Sequence, residues 1–344
     1  MTEVALPPPL SLDPVVRPAP LWALGAEDMP SAAHFRRDHF AAPALDTDSW
    51  RLAIDGAVDR PVELSLGELS RLPRRELRVV LECAGHRRRE FDPSATGVPW
   101  GVGALGEAVW QGASLGAVLS LAGLRPEASF VVLEGADSGQ FRDRPDPVSF
   151  ARALPLGKAL DPDTLLAWTM NGQPLPQAHG APLRAVVPGW YATDSVKWLV
   201  HISILDRPFT GPFEALDYRL PDETVPGGRR MTDLPVHALF TSPPAGALVT
   251  IGQVELAGIA WGGAGITTVE VCIDGGPWQP ARLDRPSGRY ARTFWRAAWE
   301  ASAGEHLLAV RAWDSNGTTQ PDKPAWNEHG YGNASIQRLR IVVA

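Results

Sequence analysis

The chain of 344 residues has only two cysteines, Cys83 and Cys272, and they lie far apart in sequence. This scarcity excludes a disulfide framework and a cysteine-rich zinc or iron–sulfur centre, and no Cys-x-x-Cys-His haem attachment is present. Long apolar runs are lacking as well. No stretch approaches the roughly 20 apolar residues that a membrane helix requires, so no membrane partner is expected. Basic charge is not in excess either. The formal net charge of −7 argues against a nucleic-acid partner, and the basic residues gather locally at Arg36 and Arg37, Arg87 to Arg89, and Arg229 and Arg230. Such clusters suit a small anion. The first residues, Met1 to Pro9, show no basic n-region, apolar h-region or twin-arginine signal. As written, this predicts a soluble protein of a reducing, cytoplasmic compartment; a periplasmic location follows if a leader was removed.

What is abundant points to strands and turns. Glycine and proline number 33 each, and there are 13 tryptophans, so many short strands and few long helices are expected. The length accommodates two domains with their own cores. Residues 1–34, rich in proline and alanine, read as an extended arm over a domain surface. Residues 35–232 read as a mixed α/β domain. Its strand-like runs include Leu77–Leu81, Ser129–Leu133 and Arg184–Val187, and its helical pieces Leu66–Leu72, capped by Ser65, and Ser114–Ala122. From residue 233 to 344 the pattern alternates in strand fashion, with turn signals at Asp274-Gly275-Gly276-Pro277 and Ser315-Asn316-Gly317. This predicts a β-sandwich of immunoglobulin type, and an α+β chain as a whole.

The run Glu82-Cys83-Ala84-Gly85-His86-Arg87-Arg88-Arg89 carries the most chemistry. Cationic neighbours favour the thiolate, which binds soft metals and attacks electrophiles, and guanidinium forks match oxyanions. Metal ligand and nucleophile are equally open at this point. Other polar segments add to it: Arg36-Arg37-Asp38-His39, His179 to Arg184 around a tight turn, and Ser195 with Lys197, where a hydroxyl and an ammonium suit a phosphate. Trp100 and Trp110 flank the run Gly101 to Gly106, which permits close backbone approach to a ligand. Cys272 reads as a small buried hydrophobe, and His34, His201, His237 and His306 as solvated or satisfied histidines.

In this order along one chain, the segments resemble the sulfite oxidase family of molybdenum enzymes. Cys83-Ala84-Gly85-His86-Arg87-Arg88 is similar to the family's Cys-Ala-Gly-Asn-Arg-Arg, and Arg37-Asp38-His39 to its Arg-Asn-His. Trp100 with Gly103-Ala104-Leu105, Met170-Asn171-Gly172 through Arg184, Pro188-Gly189, Val196-Lys197-Trp198-Leu199 and Asp217-Tyr218-Arg219 match further family segments. Gln320-Pro321-Asp322 and Trp326-Asn327 resemble its dimerisation domain.

The resemblance implies molybdenum held by a molybdopterin dithiolene, with Cys83 as the protein thiolate; no haem is expected, unlike in the animal enzymes. It implies oxidation of sulfite to sulfate by oxygen-atom transfer, electrons leaving singly to an external acceptor such as cytochrome c or oxygen, and a homodimer formed through the sandwich. Arg37 and Arg88 would hold the anionic substrate, with Trp100 and Tyr218 lining the same pocket. Phe35, Arg37, His39, Asp137, His179, Arg184, Ser195 and Lys197 would clasp the pterin and its phosphate, while Arg87 and Arg89 would be structural. Three departures stand out: His329 replaces a substrate arginine of the vertebrate enzymes, His86 replaces an asparagine, and Asp38 replaces another. The alternatives are reductive oxo-transfer on a sulfoxide or nitrate with the same cofactor, and a catalytically silent binding protein on this fold.

Overall fold

The computed structural model describes residues 6–284 and 288–344. Two sheets form the framework of the first domain. One runs in the order Val62–Leu64, Leu52–Gly56, Leu199–Leu205, Phe130–Gly139, Val148–Pro155, with Leu52–Gly56 and Leu199–Leu205 parallel. The other runs Gln173–Pro174, Leu165–Met170, Leu105–Ser114, Arg74–Glu82, and Arg184–Val186 joins it through Leu165–Met170. Short helices are inserted between strands, which gives an α+β chain dominated by strands.

The helices are a single turn long. Leu66–Leu69 starts at a capping box, in which Glu68 N–H donates to Ser65 Oγ at 3.3 Å and Ser65 N–H to Glu68 Oε2 at 2.9 Å. It stops short of the predicted Leu72 because Pro73 pushes the residue before it out of the helical region. Leu115–Leu119, capped by Ser114, is likewise shorter than Ser114–Ala122 and gives way to Gly123 at φ +71°.

Strands that alternation does not reveal are those buried on both sides. Seven of the ten residues of Leu105–Ser114 are buried and none is exposed, so it carries no solvent face to read. Its glycines serve the chain's own packing. A Cβ at Gly112 would stand 1.9 Å from Leu166 O, one at Gly106 2.6 Å from the His34 ring, and one at Gly103 2.5 Å from Ala19 O. The close approach predicted for the run Gly101 to Gly106 is therefore to neighbouring backbone and His34, not to a ligand.

The N-terminal segment is more than a surface arm. Val15–Arg17 pairs with Arg36–Arg37, and Val16, Ala23, Leu24, Met29 and Ala33 are buried in the core that underlies the second sheet. That core continues into the second domain through Leu239, Ile259 and Trp261. The C-terminal residues form two facing sheets, one of His237–Ser242, Gly252–Trp261, Thr293–Ala301 and Arg282–Leu283, the other of Leu248–Val249, Gln337–Val343, Gly304–Asp314, Ile266–Ile273 and Gln279–Pro280. Phe240, Leu256 and Trp295 from the first meet Val269, Leu308 and Ile341 from the second. No helix among the described residues is long and apolar enough to cross a membrane.

Candidate active site

Cys83 follows directly on the strand Arg74–Glu82, its N–H donating to Ala104 O at 2.9 Å. Its half-buried side chain lines two cavities at once. The deeper one has no exposed residue in its lining and is walled by His34, Phe35, Arg37, His39, Asp137, His179, Arg184, Ser195 and Lys197, among others. The shallower one, whose rim includes the exposed Thr96 and Gly97, is lined by Arg37, Arg88, Trp100, Tyr218, His329 and Tyr331. Every residue that the sequence singled out for the site borders one cavity or the other. Cys83, Arg37 and Tyr218 border both.

The deep cavity is cationic and incompletely satisfied. Arg184 is buried, donates to His179 O at 2.9 Å and Ser195 O at 3.0 Å, and stacks over the Trp110 ring at 4.7 Å. Burial lowers it to about 9. Lys197 is lowered to about 8, first by burial, against the pull of the buried Asp38, which binds both its ammonium and Arg36. Burial raises Asp137 to about 7, and its Oδ1 has no partner among the described residues. His34 Nε2 and Thr193 Oγ1, on the same walls, are equally unpaired. Ser195 Oγ accepts from Val187 N at 3.0 Å, which leaves its hydroxyl proton free to donate inward.

In the shallow pocket the guanidinium of Arg88 is fixed rather than mobile. Its Nε donates to His329 O at 2.7 Å and its Nη1 to Val98 O at 2.9 Å, and it lies 5.3 Å from the centre of the Tyr331 ring. Nη2 makes no hydrogen bond among the described residues and stays free for an anion. Trp100 Nε1 is buried and unpaired. Tyr218 hydrogen-bonds His39 through its hydroxyl and stacks on Tyr331 at 5.4 Å. Burial pushes the Tyr218 phenol up and the His39 imidazole down, so both are neutral at physiological pH.

Several wall residues escaped the sequence reading, among them His34, Thr193, Phe150 and Tyr331. His34 is neither solvated nor satisfied: burial lowers it to about 3, and only its Nδ1 finds a partner, Phe35 O at 3.0 Å. Thr193, Phe150 and Tyr331 sit in no charged motif. The reading of His237 also fails, since it is buried and neither ring nitrogen makes a hydrogen bond among the described residues, although Nε2 approaches Glu82 Oε1 to 3.2 Å. His201 and His306 do find carboxylate partners, Asp55 at 3.0 Å and Asp274 at 2.7 Å. Arg87 is buried and anchors the second domain through Ser335 O at 2.5 Å, while Arg89 is exposed.

A molybdopterin fits these residues. The unpaired His34, Asp137 and Thr193 atoms offer acceptors and donors to a polar ring, Arg184, Lys197 and Ser195 suit its phosphate, and Cys83 is a free soft donor where the cavities meet. Together the fold and site define a protein with a cationic cavity beside a thiol, suited to a large anionic group, and a second, arginine-lined pocket next to it.

Comparison with known proteins agrees. The profile of the oxidoreductase molybdopterin binding domain matches residues 39–213, and that of the Mo-co oxidoreductase dimerisation domain residues 229–344. Human mitochondrial sulfite oxidase is 36% identical over 340 residues, covering 92% of this chain and 62% of the human protein. Chicken sulfite oxidase is 36% identical over 329 residues, covering 88% of this chain and 70% of its own. The NADH nitrate reductase of Ulva prolifera is 32% identical over 350 residues, 91% of this chain and 40% of that protein. Among solved structures, the sulfane dehydrogenase SoxCD of Paracoccus pantotrophus superposes with a TM-score of 0.84 at 29% identity, covering 99% of this chain and 86% of that one. The chain belongs to the sulfite oxidase family of molybdopterin-dependent oxidoreductases.

Proposed function

We propose that this protein oxidises sulfite to sulfate by oxygen-atom transfer at a molybdenum–pterin centre held by Cys83. The observation that carries the reading is the position of that thiol between a deep cationic cavity and a pocket bearing two arginines. The bound group supplies a two-electron centre able to transfer oxygen. Sulfite with one water becomes sulfate, two protons and two electrons, and the electrons leave singly to an external acceptor, cytochrome c or oxygen.

The chain's own residues provide capture and orientation. Arg37 and the free Nη2 of Arg88 draw in the oxyanion, and Trp100 Nε1 adds an uncharged donor. Trp100, Tyr218 and Tyr331 form aromatic walls that limit water. His39 fixes the Tyr218 hydroxyl at the border of the two cavities. Because Arg88 is tied at two of its nitrogens, the pocket grips sulfate only moderately, which favours product release. Assembly as a homodimer through residues 229–344, in a reducing compartment, completes this reading.

The test is metal and pterin analysis of the purified protein, followed by assays with sulfite and cytochrome c, ferricyanide or oxygen in turn. Molybdenum and pterin are expected, with sulfite-dependent reduction of one acceptor that Cys83→Ser abolishes without unfolding the chain. A metal-free protein with no sulfite turnover would sink the reading. The likeness to SoxCD supports a second one, oxidation of a sulfane sulfur, and turnover of a sulfane donor but not of sulfite would select it. Reoxidation of the reduced centre by nitrate or a sulfoxide, with sulfite inert, would select reductive chemistry instead.

A further inference from the structure

Glu82 is the last residue of the strand that delivers Cys83, and its carboxylate is buried. While Cys83 lines the cavities, Glu82 meets the second domain. Trp261 Nε1 donates to Glu82 Oε2 at 2.7 Å, and His237 Nε2 approaches Oε1 to 3.2 Å. His237 and Trp261 are opposite one another on adjacent strands, and their rings stack with centroids 4.8 Å apart and planes 5° from parallel. His86 closes the group edge-on to both rings, at 5.6 Å and 5.7 Å. Neither nitrogen of His86 and neither nitrogen of His237 makes a hydrogen bond among the described residues, so His237 sits beside Glu82 through its stacking on Trp261 and its close approach. A dry carboxylate among part-satisfied rings is an expensive arrangement for packing alone, and one that calls for a reason.

The loop that follows is held from a second side by the same domain. Gly332 N–H donates to Ala84 O at 2.9 Å, Asn333 Nδ2 to Arg87 O at 3.1 Å, and Arg87 and Arg88 donate to Ser335 O and His329 O. The first domain contributes backbone bonds, Cys83 N–H to Ala104 O and His86 N–H to Cys83 O, both at 2.9 Å. The thiol-bearing turn is thus wedged between two pieces of the second domain.

We propose that Trp261 and His237 are positioning residues for Cys83, fixing Glu82 and with it the strand end, so that docking of the second domain sets the direction of the thiol. This rests on the reading of Cys83 as the thiolate that holds the metal. It assigns residues 237 and 261, which lie in the stretch matched as a dimerisation domain, a role at the active site as well.

Trp261→Phe keeps the stacked ring and removes the donor. In the full-length holoenzyme the variant is expected to retain its molybdenum and a KM for sulfite within about twofold, because Arg37 and Arg88 are untouched, while kcat falls about tenfold through misplacement of the centre. The visible thiolate-to-metal absorption should shift or weaken. Glu82→Gln still accepts from Trp261 and is expected to keep that absorption close to the parent's. In metal-free protein the alkylation rate of Cys83, followed by peptide mass spectrometry, should change at least about threefold in Trp261→Phe and less in Glu82→Gln. If Trp261→Phe does not fold, His237→Phe carries the same measurements. Unchanged absorption, kcat and alkylation in Trp261→Phe overturn the proposal. So does a Glu82→Gln variant that alters all three while Trp261→Phe does not, since charge and not position would then be at work. A parent protein without molybdenum sinks the proposed function, yet leaves the alkylation comparison to be judged by itself.

Discussion

His34 shows how one side chain is decided by its surroundings. It is buried between Phe35, Trp110 and His179, whose rings lie within 5.9 Å of its own. Burial, outweighing its bond to Phe35 O, lowers it from 6.5 to about 3, and Arg184 repels its proton further. The unfolded chain therefore binds a proton below pH 6.5 that the folded chain refuses. By linkage, the contribution is fully present above pH 6.5 and is lost as pH falls toward 3, at up to about 1.4 kcal/mol per pH unit. His39 and His179 are pushed down by burial in the same way and steepen the loss. Urea denaturation of the metal-free protein between pH 7.5 and 4.5 should show stability falling steadily with acid. His34→Asn should flatten the slope by about one proton. An unaltered slope in the variant would mean that His34 is protonated in the folded state.

At the scale of elements, the segment from Trp326 to Ser335 forms one wall of the shallow pocket without being a helix or a strand. Side-chain bonds stand in for a ladder. Asn333, buried, donates to Arg87 O at 3.1 Å and accepts from Ser335 N–H at 3.2 Å and Ser335 Oγ at 2.8 Å. Asn327 donates to Tyr331 O and accepts from Tyr331 N–H, both at 2.9 Å. Asn333→Ala leaves the Ser335 N–H and hydroxyl unpaired and removes one of the two bonds to Arg87 O, which keeps Glu90 N–H at 3.0 Å, and should cost about 2–4 kcal/mol in thermal or urea unfolding. It should also raise the KM for sulfite, because Arg88 leans on the carbonyl of His329 in the same segment. A KM unchanged alongside the full stability loss would separate the segment from the pocket.

How far such elements could be read from sequence followed their locality. The charged motifs around Cys83, Arg37, His179 and Lys197 are short and carry the family resemblance in their residue types, so much of both cavity walls was legible. Strands with a solvent face in the second domain, such as Gln337–Val343 with its strict alternation, were legible too. Leu105–Ser114 was not, because burial on both sides erases the period. His34, Tyr331 and the Glu82–Trp261 bond were hidden for another reason. Their meaning lies in partners that folding supplies, 179 residues away in the case of Glu82 and Trp261.

Across the whole molecule, three parts of the chain meet at Arg292. It is fully buried just before the strand Thr293–Ala301 of the second domain. From there Nη1 donates to Leu24 O at 2.6 Å and Ala23 O at 3.3 Å, and Nη2 to Ala26 O at 3.1 Å in the N-terminal segment. Nη2 also reaches Glu107 Oε1 of the first domain at 3.2 Å, while the backbone N–H of Arg292 donates to Glu107 Oε2 at 2.5 Å. One guanidinium thus closes the N-terminal segment over the junction of the two domains. Arg292→Met keeps much of the volume but takes a cation from the buried Glu107 and leaves Leu24 O and Ala26 O unpaired, Arg78 at 3.3 Å being the carboxylate's one remaining cation among the described residues. The expected loss is about 3–5 kcal/mol. The N-terminal segment should also become a protease target between residues 20 and 30 at temperatures where the sandwich is still folded. Adding Glu107→Leu removes that carboxylate charge and should recover part of the stability but not the protection of the segment, whose carbonyls stay unpaired. Recovery of both would reduce Arg292 to a counter-ion, and recovery of neither would mean that Glu107 holds the domains together by itself.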